Sequence, residues 1–223
     1  MTGQISTTKS ARSRFPATAD EELWFARPFS AQEVFGRRAP LEIELGTGKA
    51  RFLIAAAGAN PSRDFVGVER SLSYYRIARR RITRARLPNA RIVRADARMF
   101  VEGCVAAGSV RAFHVYFPDP WPKTRHRHRR LFGGNLAGQL RRTLVPGGAV
   151  HLASDLPALI VDLSTRCVDA GLVIDVDGER RGRPTTVFER KYAGGGTCYA
   201  RLVRPANKQS GFRRPTLTWP NLT

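Results

Sequence analysis

The sequence predicts an α/β fold built on a doubly wound, mostly parallel sheet of seven strands with an antiparallel edge pair, as in Rossmann-like proteins. Three observations lead to this prediction. Short apolar and β-branched runs alternate with helical segments through most of the chain, which is typical of a parallel sheet. Gly46, Thr47 and Gly48 separate the first strand from a helix, as in nucleotide-binding folds. The last two strands have no helix between them, so we expect them to pair antiparallel.

Each strand is predicted from an apolar run that turn residues or acids end. The strands are expected over 41–45, 64–69, 90–95, 110–117, 149–153, 171–176 and 197–203. Helices are expected over 49–57, from Ser71 to about residue 85, over 131–144, and from Ser154 or Asp155 to about residue 170. The segment 21–35 carries enough large apolar side chains to pack on the core.

The length of 223 residues favours one domain. Residues 1–20 are rich in Ser, Thr, Arg and Ala and are expected to be a disordered basic arm, whereas 206–223 form an irregular basic tail. The segment between them, 21–205, is expected to be a single domain. Its oligomeric state is left open between a monomer and a homodimer.

The charge balance indicates a polyanionic partner. The chain has 38 Lys and Arg against 18 Asp and Glu, a net charge of +20, and arginine binds phosphate in a bidentate manner. The basic residues are clustered, which favours nucleic acid over a general solubility function. Three separated cysteines without a Cys-x-x-Cys pair argue against a metal site, and the lack of a long apolar run argues against a membrane. We therefore expect a cytoplasmic protein.

Acidic residues lie at the carboxyl ends of five of the predicted strands: Glu44, Glu69, Asp96, Asp119 and Asp155. In doubly wound sheets, ligands bind outside the carboxyl ends of the strands, and an acid after the second strand accepts hydrogen bonds from a ribose diol. Each acid taken alone could equally be a helix N-cap or a solvated loop residue. Five of them at five strand ends in a basic protein predict one shared crevice.

The fourth strand ends in an unusual loop. Pro118, Pro120 and Pro122 alternate with Asp119 and Trp121, so the backbone there is stiff. A cationic run follows directly: Lys123, Arg125, His126, Arg127, His128, Arg129 and Arg130. A second basic surface is predicted on the helix after the second strand, where Arg76, Arg80 and Arg84 share one face with Arg79 nearby. That face is either simply solvated or a phosphate-binding surface.

With these motifs the sequence resembles the bacterial tRNA (guanine-N7-)-methyltransferase family, within the class I S-adenosylmethionine-dependent methyltransferases. The resemblance extends over about residues 40–204 and depends most on the Pro-Asp-Pro-Trp-Pro-Lys run that starts at Pro118. A second specific motif is Thr186-Val187-Phe188-Glu189. The resemblance implies transfer of a methyl group from S-adenosylmethionine to N7 of a guanosine in tRNA, in the variable loop.

The resemblance also implies the roles of individual residues. The cofactor would be bound by Glu44, Gly46, Gly48, Glu69, Asp96 and Asp119. The tRNA would be bound by Lys123, Arg125, Arg130, Asp155, Thr186, Val187, Phe188 and Glu189. Asp119 is expected to act in catalysis through orientation and charge, because guanine N7 has a free lone pair and needs no general base. Trp121 either stacks on the target base or packs in the core.

The chain departs from the family pattern at two positions. Ala50 replaces a usual glycine, which would cost about 1 kcal/mol if the backbone there needs a positive φ, and Thr124 replaces a common lysine. Three alternatives stay open at this point: methylation of another RNA or DNA site, a non-catalytic RNA-binding relative, and an NAD-dependent dehydrogenase. The dehydrogenase would normally show a fuller Gly-x-Gly-x-x-Gly motif.

Overall fold

The computed structural model describes residues 28–120, 131–175 and 196–206. These residues form one seven-stranded sheet in the order β3-β2-β1-β4-β5-β7-β6. The strands are β1 (Leu41–Leu45), β2 (Asp64–Glu69), β3 (Ala90–Arg94), β4 (Val110–Tyr116), β5 (Leu144–Ser154), β6 (Val173–Ile174) and β7 (Cys198–Val203). The helices are α1 (Ala31–Phe35), α2 (Arg51–Ala59), α3 (Leu72–Ala85), α4 (Ala97–Gly103), α5 (Leu136–Thr143) and α6 (Pro157–Asp169). The predicted fold class is confirmed.

The direction of the strands places all the predicted acids at one edge. Strand β1 pairs in parallel with both β2 and β4, and β4 pairs in parallel with β5. Strand β7 pairs antiparallel with β5 and with β6, as expected for the edge pair. The chain order reverses between β1 and β4, and such a switch point opens a crevice at the carboxyl ends of the strands.

Two apolar cores hold the helices on the sheet. The larger core joins α4, α5 and α6 to the central strands, with Ile43, Phe100 and Phe113 fully buried. The smaller core joins α2 and α3 to the sheet through Phe52 and Phe65. All five side chains of β1 are buried, which is typical of a central parallel strand covered on both faces.

Several element bounds differ from those predicted. The helix expected over 131–144 begins only at Leu136, because Gly134 has φ of +62° and interrupts the backbone before it. Strand β6 is reduced to two residues, whereas β5 extends back to Leu144. Helix α4 was not predicted. Neither Ser154 nor Asp155 caps α6, which instead starts with Leu156 at the N-cap and Pro157 in the first turn.

The C-cap of α3 provides a test of the backbone geometry. Arg86 ends the helix with φ of +53° and ψ of +32°, a left-handed conformation that favours glycine. We expect Arg86→Gly to raise the free energy of unfolding by about 0.5–1 kcal/mol, and the thermal midpoint by roughly 2–4 °C for each kcal/mol gained. Arg80→Gly, in the middle of the same helix, should instead lower it by about 1 kcal/mol. Equal losses for both variants would contradict the assigned cap.

Candidate functional site

The turn after β1 forms the floor of the crevice. Gly46 has φ of +80° and Gly48 has φ of +56°, and a Cβ atom at either position would meet no atom within 4 Å. The backbone amides of Gly46 and Thr47 both donate to the carbonyl of Val68, at 2.9 and 3.1 Å. The turn is therefore anchored to β2 on one side and open on the other, which leaves room for a ligand close to its backbone.

Glu69 connects this turn to the start of the next helix. Its Oε2 atom accepts a hydrogen bond from the amide of Gly48 at 2.8 Å, and its Oε1 atom accepts one from the amide of Ser71 at 2.7 Å. The residue is only 8% exposed. Each carboxylate oxygen can accept a second hydrogen bond, so Glu69 can hold the two turns and still bind a pair of hydroxyl groups.

Glu44 lies beneath the turn rather than at its surface. Its Oε2 atom accepts a hydrogen bond from the Thr47 hydroxyl at 2.9 Å, and the carboxyl group also accepts one from the Leu53 amide. Burial raises the pKa of Glu44 to about 8; the two hydrogen bonds oppose this shift, and the nearby charge of Glu69 adds to it. Gly67 makes this arrangement possible, because a Cβ atom there would lie 2.4 Å from the Thr47 hydroxyl oxygen.

Ala50, where the resemblance predicts a glycine, does need a positive φ. Its φ is +54° and its ψ is +34°, directly before the first residue of α2. The strain of about 1 kcal/mol is offset in part by the methyl group, which is fully buried and contributes about 0.8 kcal/mol. The alanine is therefore tolerated without a change in the path of the turn.

Asp96 extends the crevice to the end of β3. Its Oδ1 atom accepts hydrogen bonds from the amides of Arg98 and Met99, at 3.0 and 3.4 Å, and so caps α4. Its Oδ2 atom lies 3.9 Å from the guanidinium of Arg70. The Asp96 side chain is about one quarter exposed, so this second oxygen can still accept a hydrogen bond from a ligand.

Asp119 and Asp155 lie after β4 and β5, and both are exposed. Asp119 lines a small, open cleft between the proline loop and α6, together with Phe132 and Leu163. Within the described part of the chain, no hydrogen bond or ion pair involves Asp119. Asp155 lies 3.4 Å from the Ser154 hydroxyl. The structure thus joins Glu44, Glu69 and the glycine turn in one hydrogen-bonded unit, whereas Asp119 and Asp155 stand apart from it.

The other predicted substrate residues lie outside the described residues. These are Trp121, Lys123, Arg125, Arg130, Thr186, Val187, Phe188 and Glu189. Their expected contacts with RNA stay predictions.

A buried polar network was not predicted from the sequence. The Nε2 atom of His114 lies 2.8 Å from Glu42, and its Nδ1 atom lies 2.9 Å from the Tyr116 hydroxyl. Arg63 adds an ion pair to Glu42 at 2.7 Å. Burial alone would raise the pKa of Glu42, but the hydrogen bond and charge of His114 and the charge of Arg63 lower it overall. Because Phe52 of α2 packs on the rings of both His114 and Tyr116, this network supports the helix that follows the glycine turn.

Arg70 is a second residue that sequence reasoning missed. It directly follows Glu69, and its cation faces Asp96. The sequence feature that could have identified Arg70 is its position directly after Glu69, the acid at the end of β2. Among the described residues, no group of three His, Cys, Asp or Glu side chains could hold a metal ion. The helices in those ranges are all too short or too polar to cross a bilayer.

The sheet order and the crevice define the class I methyltransferase fold, and solved structures share it. The 16S rRNA methyltransferase KamB superposes with a TM-score of 0.56 at 17% identity, covering 80% of this chain and 95% of that one. A 16S rRNA (adenine(1408)-N(1))-methyltransferase from Catenulisporales acidiphilia gives 0.54 at 17% identity, covering 86% and 94%. At this identity the likeness establishes the fold alone.

Sequence comparison identifies the family. A family model described as "Putative methyltransferase" matches residues 38–192, more than half of the chain. The tRNA (guanine-N(7)-)-methyltransferase of Nocardia farcinica is 33% identical over 79% of this chain and 71% of its own length. The enzyme of that name from Saccharophagus degradans is 33% identical over 75% and 76%. The chain belongs to the tRNA (guanine-N7-)-methyltransferase family.

For some other relatives, the match covers less than two thirds of their own length. The chain spans 62% of the length of the tRNA (guanine-N(7)-)-methyltransferase of Geobacter metallireducens, at 37% identity. It spans 57% of the one from Nitrosomonas eutropha, at 35% identity.

Glu44→Gln is expected to change stability in a way that depends on pH. The pKa of Glu44 in the folded protein, about 8, lies above its ordinary value of 4.5, so the folded state keeps a proton that the unfolded chain releases. The stability that this proton contributes is complete below the unfolded pKa and is lost as the pH rises through 8. Glutamine does not titrate, so the variant should gain stability relative to the wild type as the pH rises.

Denaturant unfolding at about pH 5, 7 and 9 measures this difference. Glu102→Gln, an exposed position, is the matched control and should show almost no trend with pH. A difference between Glu44→Gln and the wild type that stays constant across this range would show that Glu44 is ionised throughout.

Proposed function

We propose that the protein transfers a methyl group from S-adenosylmethionine to N7 of a guanosine in tRNA, forming 7-methylguanosine. The observation that carries this proposal is the similarity to enzymes of that name over about three quarters of both chains. The net charge of +20 supports an RNA substrate. We further propose that the target lies in the variable loop and that the enzyme works in the cytoplasm, as a monomer or a homodimer.

The residues present fit S-adenosylmethionine. The open backbone at Gly46 and Gly48 leaves space for the amino acid moiety. Glu69 would bind the ribose hydroxyls through the free lone pairs of its two oxygens, and Asp96 would accept from the adenine amine through Oδ2. When bound, this cofactor supplies an electrophilic methyl group on a cationic sulfur.

The cofactor's ammonium group could be bound by Glu44 or by Asp119, and the availability of the carboxylate oxygens favours Asp119. Glu44 already accepts hydrogen bonds from Thr47 and Leu53, and it is buried beneath the turn. Asp119 is exposed, and both its oxygens are available in the described part of the chain. In this assignment Glu44 shapes the turn and Asp119 supplies the negative charge.

The chemistry at guanine needs alignment and charge rather than a base. N7 carries a lone pair and no proton, so no group has to remove one before or after methylation. Positive charge develops on the purine, and a fixed carboxylate nearby stabilises it. The prolines on both sides of Asp119 restrict its backbone, which lowers the entropic cost of holding it in place. Lys123 would either donate to guanine O6 or contact a phosphate.

Nucleoside analysis tests the activity. The protein is incubated with tritiated S-adenosylmethionine and, in separate reactions, with unmodified bulk tRNA, ribosomal RNA or DNA, and the digested nucleosides are separated. We expect the label in 7-methylguanosine. Label in another nucleoside, or in ribosomal RNA or DNA only, would replace the proposed target, and no label in any nucleic acid would contradict the enzymatic function itself.

Asp119→Asn tests the proposed role of the loop carboxylate. Loss of one fixed charge at the reacting group should slow single-turnover methylation at saturating tRNA on the order of 100-fold. The rate should not recover at high pH, because Asp119 is not a base. Asp169→Asn, an exposed acid at the far end of α6, is the matched control and should react at the wild-type rate. A wild-type rate for Asp119→Asn would exclude this role.

A further inference from the structure

Helix α3 carries a positive charge that no acidic residue of the helix neutralises. Its 14 residues include five arginines and no acid. Four of these arginines, Arg76, Arg79, Arg80 and Arg84, are exposed. The fifth, Arg81, donates a hydrogen bond to the carbonyl of Lys49 at 2.8 Å and so has a structural role in joining α3 to the start of α2.

Three of the exposed arginines form a straight row, which we call the arginine ridge: Arg76, Arg80 and Arg84. At 3.6 residues per turn they fall on the side of α3 opposite the buried Tyr75 and Ile82. Successive members are four residues apart and therefore rise by about 6 Å along the axis. This separation is close to that of neighbouring phosphates along one strand of a nucleic acid.

Within the described part of the chain, the contacts of the arginine ridge give it no structural role. Other arginines in the described ranges have acidic partners, for example Arg37 with Asp64 at 2.7 Å and Arg166 with Asp162 at 3.0 Å. Within those same ranges, the three ridge side chains make no ion pair or hydrogen bond. Like charges at four-residue spacing destabilise a helix, so folding alone would disfavour this row.

The location of the ridge relates it to the crevice. Helix α3 begins directly after Ser71, whose amide binds Glu69. From that end the helix runs away from the carboxyl edge of the sheet for about 20 Å. The ridge therefore extends outward from the cofactor side of the site, on the opposite side of β1 from the proline loop that follows β4.

We propose that the arginine ridge binds the phosphate backbone of a tRNA arm that lies outside the methylated loop. This inference rests on the proposed function, because it takes tRNA as the partner. The rigid helix presents regularly spaced guanidinium groups to a regularly spaced backbone, and arginine is well suited to phosphate. The interaction would carry no base specificity, and it would position the arm so that the loop reaches the crevice.

A membrane surface is a poorer fit to the same helix. Helices that lie on membranes insert an apolar face between the lipid headgroups. The apolar face of α3 is instead packed on the sheet through Tyr75, Ala78 and Ile82, and the exposed Tyr74 ring has the Lys49 amine 6.0 Å from its centre. Leu72, Tyr74 and Ile77 are also exposed on α3, but at helical spacing Leu72 points away from the other two, so the three do not form the continuous apolar face that membrane insertion requires.

The test removes the three ridge charges together, in Arg76→Gln/Arg80→Gln/Arg84→Gln. Glutamine keeps the helix propensity of arginine, and the relief of repulsion should leave thermal stability equal or higher. The control is Arg38→Gln/Arg111→Gln/Arg141→Gln, which lowers the net charge equally at exposed positions outside α3. The measurement is the dissociation constant for unmodified tRNA as a function of salt concentration.

The ridge variant should bind tRNA at least about tenfold more weakly at physiological salt, and its salt dependence should fall by about one unit of slope for each phosphate that the variant no longer binds. The control variant should keep most of the wild-type slope. Equally weakened binding in the two variants would overturn the proposal, because only overall charge would then matter. Weaker binding of the ridge variant to anionic phospholipid vesicles, with tRNA binding intact, would overturn it as well.

A shortened RNA locates the binding site of the ridge. The wild type should bind intact tRNA more tightly than an isolated stem–loop that contains the target guanosine, and the ridge variant should bind both about equally. The ridge variant should need a higher tRNA concentration than the wild type to reach its maximal single-turnover rate, because the lost phosphate contacts weaken binding. If the wild type bound tRNA through the ridge but formed no 7-methylguanosine, the proposed enzymatic function would be wrong. The proposed binding of tRNA by the ridge would still be supported.

Discussion

The carboxylate of Glu69 is the group on which the site depends most. It accepts the amide of Gly48 with one oxygen and the amide of Ser71 with the other, so a single side chain joins the turn after β1 to the start of α3. Buried backbone amides need a partner, and the first amides of a helix have none within the helix. Without this carboxylate, both turns would lose their shared anchor, and the open space above Gly46 and Gly48 would lose its shape.

Opposite charges are distributed unequally between the interior and the surface of the described domain. Acids occur in buried positions, including Glu42, Glu44, Asp64 and Glu69, where hydrogen bonds or arginine partners hold them. Arginines without such partners are left outside on α3. The carboxylate of Glu69 is therefore held at the crevice, whereas the arginine ridge faces solvent.

The sequence predicted the features that depend on one residue type, such as apolar residues in a buried strand or glycine in a tight turn. The limits of β1 and β2 follow from their apolar runs, and Gly46 and Gly48 fall at positive φ as a tight turn after a strand requires. Less predictable features depended on partners distant in the chain. The hydrogen bond between His114 and Glu42 arises only when β1 and β4 lie side by side. The burial of Glu44 under Thr47 depends on Gly67 of β2, where a Cβ atom would meet the Thr47 side chain. Periodicity also could not foresee that Gly134 would delay the start of α5.

The position of β7 has a consequence for synthesis of the chain on the ribosome. Among the described strands, β7 is synthesised last, yet it lies between β5 and β6 in the sheet. Until residues 198–203 emerge, the 11-residue β5 has an unpaired edge, and β6 has no strand to join. Exposed edges of long apolar strands readily pair with other chains. Nascent copies on neighbouring ribosomes are therefore most prone to aggregate in this interval, and closure of the sheet by β7 ends that exposure.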